Sequence, residues 1–193
     1  METIIIIIII LFISIALFGN KQTKKSKVLN NIQIGKMVQL LETVHILENT
    51  TRFEVFSSRY KFLYSISSYL LPKMNNSTYI LNKKTALQKY NEKYIDHSIS
   101  ILQNDILINP AIALSVEFSD KIKVLFFQRF CNKMDYEISS LKTKVAKDHR
   151  RDLVLCTSKQ ILSELNHKQS VQYHSIIIDE LRRFGYDLTL TIE

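Results

Sequence analysis

An all-α fold is predicted for this chain by its turn-forming residues, its hydrophobic content and the spacing of its apolar residues. Its 193 residues include only three glycines and two prolines, which a sheet-rich or loop-rich fold would need in larger numbers at its turns. Hydrophobic residues make up 46% of the chain, enough to bury a core. They recur every three or four positions, as on one face of a helix. We expect an N-terminal transmembrane helix followed by an irregular antiparallel helical bundle.

The most apolar stretch lies at the N-terminus, where the run from Ile4 to Phe18 contains one polar side chain, Ser14. As a helix, this run with its immediate neighbours, about 17 residues, would extend roughly 26 Å, close to the thickness of the hydrocarbon core of a bilayer. The first three residues, Met-Glu-Thr, include no basic side chain, unlike the positive region that opens a signal peptide. These features favour an uncleaved membrane anchor.

Four lysines follow the apolar run: Lys21, Lys24, Lys25 and Lys27. Because basic flanking residues stay on the cytoplasmic side, we expect the N-terminus outside and the body of the protein in the cytoplasm. These lysines would contact anionic lipid headgroups, each contributing about 1 kcal/mol. The alternative is a signal peptide cleaved near Ser14-Ile15-Ala16, which would make the body secreted or periplasmic. A further alternative is an apolar N-terminal helix buried within the fold.

The composition divides the chain into four segments. We assign 1–20 to a transmembrane or signal segment, 21–27 to a basic juxtamembrane linker, 28–185 to a helical domain and 186–193 to a tail. Apolar spacing predicts six helices after the linker, at about 28–48, 51–71, 80–107, 110–148, 152–166 and 171–184. The predicted helix ends rest on a capping box from Thr51 to Glu54, on Pro72, on Asn109-Pro110 and on Gly185.

The helix predicted at about 110–148 would be the longest in the domain. No glycine or proline follows Pro110 within it, and at about 57 Å it would protrude from a compact body. One apolar stripe runs along it from Phe118 to Val145. We therefore expect a kink or a partner helix here, and 110–148 is the surface predicted for self-association or for binding a partner.

A resemblance to a known family covers the start of the second predicted helix. Residues 49–62 read NTTRFEVFSSRYKF. Seven of them resemble an Asn-Thr…Phe-x-Ser-Arg-Tyr pattern: Asn49, Thr50, Phe56, Ser58, Arg59, Tyr60 and Phe62. This pattern occurs in an uncharacterised family of small helical proteins of bacteria and mobile elements, whose second half is similar to 126–147 of this chain. The resemblance implies a helical fold and a bacterial origin, but no activity. This chain differs in the apolar segment that precedes the pattern. We expect Phe56 and Tyr60 to pack in the core, with Arg59 beside them.

Two Glu-x-x-His pairs are the candidate metal ligands: Glu42 with His45, and Glu164 with His167. At this spacing both side chains lie on one face of a helix, and two such pairs with two further glutamates form the di-iron site of some helical bundles. Glu42 lies off the core stripe and His167 lies at a predicted helix end, so the sequence favours exposed polar residues. We expect no cofactor. A metal-dependent, di-iron-like oxidoreductase is the alternative.

A basic run at the end of the long predicted helix is a candidate anion contact. Lys144, Lys147 and Arg151 would share one helix face and could contact phosphates of lipid or nucleic acid. From residue 28 onward the chain has 22 basic and 17 acidic residues, with both signs interspersed, which disfavours nucleic-acid binding. The favoured interpretation is therefore the solvated face of an amphipathic helix.

The sequence contains no arrangement that indicates catalysis. Its two cysteines, Cys131 and Cys156, have no histidine and acid spaced to activate them, and three glycines are too few for a phosphate-binding loop. Whether the two thiols pair stays open. The leading prediction is a single-pass, membrane-tethered helical protein that acts by protein–protein interaction and not as an enzyme. The alternatives are a secreted or periplasmic effector or immunity-type binding protein, and the oxidoreductase.

Overall fold

The computed structural model describes residues 2–165 and 171–187, with side chains from Thr23 onward. Seven α-helices occur in this part: α1 (Glu2–Asn49), α2 (Phe53–Leu70), α3 (Ser77–Lys93), α4 (Ile101–Ile108), α5 (Val116–Ser140), α6 (Lys144–Glu164) and α7 (Val171–Arg183). Short 3-10 turns at Leu71–Lys73 and Pro110–Leu114 lie between α2 and α3 and between α4 and α5. No strand occurs among the described residues, so the predicted all-α class is confirmed.

The core is built around one face of α1. Met37, Leu40, Leu41, Val44 and Leu47 are fully buried, on the helix that contacts α2, α3 and α4. The predicted apolar stripe of 28–48 is therefore confirmed. Each such side chain contributes about 1.5–3 kcal/mol when it leaves water for the core, so this face supplies a large part of the burial that holds the first four helices together.

A second layer, formed by α5 with α6 and α7, packs beside the first. Phe126 of α5 is fully buried and stacks on Phe56 of α2, with ring centroids 4.5 Å apart. Arg129 of α5 donates from Nη1 to the carbonyl oxygen of Leu47, in the last turn of α1, at 3.3 Å. Aromatic stacking and a hydrogen bond to a helix end therefore join the two layers.

The single helix predicted at 110–148 is wrong at its start. Pro110–Leu114 forms a 3-10 turn, with Asn109 as its cap. The helix α5 begins only after Ser115, whose side-chain oxygen accepts a hydrogen bond from the N–H of Phe118 at 3.2 Å. The N–H groups in the first turn of a helix have no backbone partner within that helix. The Ser115 hydroxyl accepts from one of them, and this cap stabilises the start of α5 at this position.

The same predicted helix is also broken in its second half. The helix α5 ends at Ser140, and the backbone of Leu141 is extended. Thr143 Oγ1 then accepts a hydrogen bond from the N–H of Ala146 at 3.3 Å, and α6 begins. The helix predicted at 152–166 is therefore the second part of α6. A threonine hydroxyl competes for backbone donors, which is why the break needs neither glycine nor proline.

This break allows α6 to fold back on α5 and to cover the apolar stripe. Phe118, Ile122, Phe130 and Met134 are buried, whereas Val145, beyond the break, is 80% exposed. The surface predicted for self-association or for a partner helix along 110–148 is therefore largely covered by the chain's own fold.

The helix predicted at 80–107 is two helices. The helix α3 ends at Lys93, and Ile95 is exposed in the segment that follows. A capping box starts α4: the N–H of Gln103 donates to Ser100 Oγ at 3.1 Å, and the N–H of Ser100 donates to Gln103 Oε1 at 2.7 Å. Two reciprocal hydrogen bonds stabilise this helix start.

Two boundaries near the ends of α1 also differ from the expected ones. The backbone of α1 is helical through 21–27, so the segment predicted as a linker is part of the helix. The capping box predicted from Thr51 and Glu54 is wrong. Arg52 is the N-cap residue of α2, and within the described chain its side chain makes no cap hydrogen bond.

The end of α7 agrees with the prediction. Gly185 has a φ of 86°, and the N–H of Tyr186 bonds to the carbonyl oxygen of Leu181 at 3.2 Å, the closure that a left-handed glycine permits. His167 and residues 188–193 of the predicted tail lie outside the described residues.

The predicted membrane anchor is not tested by these helices. Over the residues whose side chains are described, no helix is both long and apolar enough to cross a bilayer. The run Ile4–Phe18 lies outside those side chains, and only its backbone, as the first part of α1, is described. The anchor therefore stays a prediction.

One buried amide links three helices. Gln103 of α4 is fully buried, and its Nε2 donates to the carbonyl oxygen of Leu41 in α1 at 2.7 Å and to Tyr90 Oη in α3 at 3.0 Å. Its Oε1 accepts the capping bond from Ser100. Because buried polar groups are costly when left unpaired, this side chain fixes the position of α4 against α1 and α3.

Replacing Gln103 should destabilise the whole domain. We expect Gln103→Leu to lower the free energy of unfolding by about 2–4 kcal/mol, because it removes a helix cap and two buried hydrogen bonds. Gln88→Leu, on the exposed face of α3, should cost less than about 0.5 kcal/mol. Urea unfolding of the full chain in detergent, followed by circular dichroism, measures both. Equal losses would contradict the proposed role of Gln103.

Alkaline pH should destabilise the fold through Tyr79. Its hydroxyl donates to the carbonyl oxygen of Leu107 at 2.9 Å, and burial raises its pKa to about 12. An unfolded tyrosine has a pKa of about 10. The unfolded chain therefore loses this proton first, and the free energy of unfolding falls as pH rises from about 10 towards about 12.

Tyr79→Phe should make this fall with pH smaller, whereas Tyr136→Phe, at a site 77% exposed, should leave it unchanged. The test is the urea midpoint of unfolding measured against pH for the unchanged chain, Tyr79→Phe and Tyr136→Phe. Parallel curves for all three would exclude this role for Tyr79.

Candidate functional site

A groove with a volume of about 1090 Å³ lies between α2 and α6. Residues from the first two-thirds of α2 form one wall and residues from the middle of α6 form the other. The lining includes Glu54, Ser58, Arg59, Phe62, Leu153 and Cys156. The groove exists because α6 folds back along α5 after the break at 141–143, which brings it beside α2.

The groove combines apolar and cationic surface. Phe62 and Leu153 are both partly exposed and provide an apolar contact from each helix. Two cations, Arg59 and Lys61, accompany one carboxylate, Glu54, among the described lining residues. Such a surface suits an apolar segment that also carries carboxylates, because the apolar part supplies burial and the charges supply orientation.

The lining of the groove does not indicate catalysis. Cys156 is an exposed thiol, but no histidine is among the described lining residues that could act as its general base. Cys131 is buried, and burial raises its pKa to about 12, so it stays protonated at neutral pH. Both cysteines are free, which answers the question of pairing that the sequence left open.

The Asn-Thr…Phe-x-Ser-Arg-Tyr pattern is divided between the core and the groove. Phe56 is buried and stacks with the half-buried Tyr60, their ring centroids 6.2 Å apart, as expected. Ser58 and Arg59 line the groove. One face of α2 therefore supplies core packing, and the neighbouring face supplies polar groups to an accessible surface.

The first predicted metal pair makes other contacts. Glu42 Oε1 accepts hydrogen bonds from Lys93 Nζ at 2.7 Å and from the hydroxyl of Tyr94 at 3.2 Å. The ring of His45 lies edge-on to that of His97, with centroids 4.7 Å apart. These contacts tie α1 to the end of α3, so the carboxylate acts as an ion-pair partner in this structure.

The second predicted metal pair is only half described. Glu164 Oε2 lies 3.2 Å from Lys123 Nζ of α5, and His167 lies outside the described residues. The structure thus places Glu42 and Glu164 against lysines of two different helices. In the described part of the chain, no group of three or more His, Cys, Asp or Glu side chains could hold a metal ion.

The predicted anion contact lies in the first part of α6. Lys144 is exposed and Lys147 is half-buried, while Arg151 Nη1 lies 3.1 Å from Asp148 Oδ1. All three residues are therefore on one helix, as expected, but a carboxylate from the same helix neutralises part of their charge.

The lysines after the apolar run extend along α1. Lys24, Lys25 and Lys27 are exposed, and the side chain of Lys21 lies outside the described residues. Lys25 also lines a second concave site together with Lys73. Sequence reasoning did not single out Lys73, because it follows α2 and is distant from Lys25 along the chain.

No family model, curated protein or solved structure matches this chain. The resemblance of residues 49–62 to a bacterial family therefore stays an expectation.

Proposed function

We propose that this chain is a single-pass, membrane-tethered helical protein that acts by binding a partner protein and not by catalysis. The observation that carries the proposal is the continuity of α1, whose backbone is helical from Glu2 to Asn49. Its first part contains the apolar run Ile4–Phe18, and its last part is the centre of the core. One helix would therefore connect the bilayer to the folded body.

A continuous helix would hold the body at a fixed distance from the membrane. Its 48 residues correspond to about 72 Å, of which the hydrocarbon core would take up about 30 Å. Lys24, Lys25 and Lys27, exposed just beyond the apolar run, would lie at the depth of the headgroups. Because the described backbone of α1 has no flexible interruption, the body would keep one orientation relative to the bilayer.

The partner surface that the geometry favours is the groove between α2 and α6. Its apolar contacts from Phe62 and Leu153 and its excess of cations, Arg59 and Lys61 over Glu54, support a segment of a partner protein that carries both apolar and acidic residues. The apolar stripe of 118–134 supports this role less, because it is buried in the chain's own core.

Chemical labelling of a native thiol can show on which side of the membrane the body of the protein lies. In a Cys131→Ser background, exposed Cys156 is the one remaining cysteine. We expect a membrane-impermeant maleimide to leave it unlabelled in intact bacterial cells and to label it after permeabilisation. Labelling in intact cells would place the body outside the cytoplasmic membrane, as the secreted or periplasmic alternative requires.

If α1 is a membrane anchor, the unchanged chain should remain in the membrane fraction during extraction with alkaline carbonate. We expect Leu11→Arg to reduce membrane retention, because an arginine at the centre of an apolar run costs about 2.5–3.5 kcal/mol on insertion. Ile80→Arg, at an exposed site of α3, is the matched control and should remain in the membrane. Equal release of both variants and of the unchanged chain would overturn the tether.

Partner binding can be tested with a photo-crosslinking residue in the groove. We expect a crosslinker at Phe62 to capture a partner peptide that carries carboxylates beside apolar residues. Arg59→Glu should reduce that capture about tenfold, because it turns an attraction into a repulsion. The crosslinker at Tyr136, an exposed aromatic position on α5, is the control. Capture of the same peptides at both positions, or no effect of Arg59→Glu, would count against the groove.

A further inference from the structure

A second cavity, of about 480 Å³, lies between α1 and the turn that joins α2 to α3. Lys25 lines it from α1, Lys73 from the 3-10 turn after α2, and Asn76 and Thr78 from the start of α3. None of the described lining residues is acidic. Two cations without a carboxylate give the cavity a positive potential, which favours an anion.

One wall of this cavity carries an unpaired buried donor. Gln33 of α1 is 5% exposed and lines the cavity. Its Oε1 accepts a hydrogen bond from Asn82 Nδ2 at 2.9 Å, which fixes the amide. Its Nε2 has no hydrogen-bond partner among the described residues. A buried N–H left unpaired costs about 1–3 kcal/mol, so a ligand whose binding moved the cavity wall enough for an acceptor to reach this nearly covered atom would recover that cost.

The start of α3 faces the same cavity with unused donors. Asn76 is its N-cap residue, and in the described structure its side chain makes no hydrogen bond to the first turn. The N–H of Tyr79 bonds to the carbonyl oxygen of Asn76 at 2.9 Å, so the N–H groups of Ser77 and Thr78 and the positive end of the helix dipole remain for an anion. A 17-residue helix is long enough to develop that dipole fully.

The cation at the turn is held in place. Lys73 Nζ donates to the carbonyl oxygen of Tyr69 at 2.7 Å and lies 3.6 Å from the centroid of the Tyr69 ring. Its charge therefore stays at the cavity wall. The exposed Lys25 supplies the second charge from the opposite side, on α1.

We propose that this cavity binds a phosphate group. Phosphate oxygens are acceptors only, and they match the donors assembled here: two lysine ammonium groups, the Gln33 amide and the N-terminus of α3. The group could belong to the headgroup of an anionic lipid or to a free phosphate. The lipid source rests on the proposed membrane tether, because Lys25 lies seven residues after Phe18, the end of the apolar run. The phosphate site itself does not depend on that tether.

The site can be tested on the full chain in a maltoside detergent, with inorganic phosphate as the probe. We expect phosphate to shift the side-chain amide signal of Gln33 in NMR spectra, and the shift should saturate. Lys25→Gln should weaken the affinity about tenfold, because it removes one charge-assisted hydrogen bond. Lys24→Gln, which removes the same charge at an adjacent position outside the cavity, should change it by less than about twofold.

A second variant keeps the test independent of Lys25. Gln33→Glu has nearly the same shape but replaces the donor with a carboxylate, and it should abolish phosphate binding, which is followed in this variant through the backbone amide signal of Thr78 at the cavity wall. If its circular dichroism shows that it does not fold, the comparison of Lys25→Gln with Lys24→Gln decides alone. No saturable shift, or equal weakening by Lys24→Gln and Lys25→Gln, would overturn the phosphate site.

The source of the phosphate can be distinguished in lipid nanodiscs. If nanodiscs with phosphatidylglycerol block the response of Gln33 to inorganic phosphate, while those of phosphatidylcholine alone do not, the site holds an anionic headgroup. If the response is the same in both, the site holds free phosphate. Failure of the membrane tether would appear in the carbonate extraction and would leave the titration in detergent unchanged.

Discussion

Burial of one face of α1 is the interaction on which the rest of the structure depends. Its apolar residues from Met37 to Leu47 lie at the centre of the first four helices, and two polar contacts use its backbone. Gln103 bonds to the carbonyl oxygen of Leu41, and Arg129 bonds to that of Leu47. Apolar burial supplies the free energy, while these directional bonds fix how α4 and α5 are placed against the helix.

The central position of α1 also connects the two proposed activities. The same helix that carries the apolar N-terminal run supplies Lys25 and Gln33 to the cavity. The helix α2, packed against it, contributes its first two-thirds to the groove and its end to the cavity. A phosphate group bound in the cavity and a partner protein bound in the groove would thus both contact the packed pair α1 and α2.

Helical periodicity predicted where helices occur better than where they end. The core face of α1 and the core positions of Phe56 and Tyr60 in α2 were predicted correctly because an apolar face must be buried whichever element covers it. The ranges 80–107 and 110–148 were wrong because Ser100, Ser115 and Thr143 use their hydroxyls to cap new helices. Such residues also occur inside helices, so only the packing on either side decides whether a serine or threonine starts a helix.

The sequence by itself determined the all-α class, the core faces of the main helices and the apolar, lysine-flanked start of the chain, because composition and periodicity are local properties. Only the tertiary structure decided which surfaces remain accessible. It buried the stripe of 118–134 by packing α5 against α2, α6 and α7. It also placed Arg59 and Cys156 on the two walls of one groove, and Lys25 and Lys73 on opposite sides of one cavity. Residues so distant along the chain meet only when several helices pack together, and no spacing in a single sequence encodes that contact.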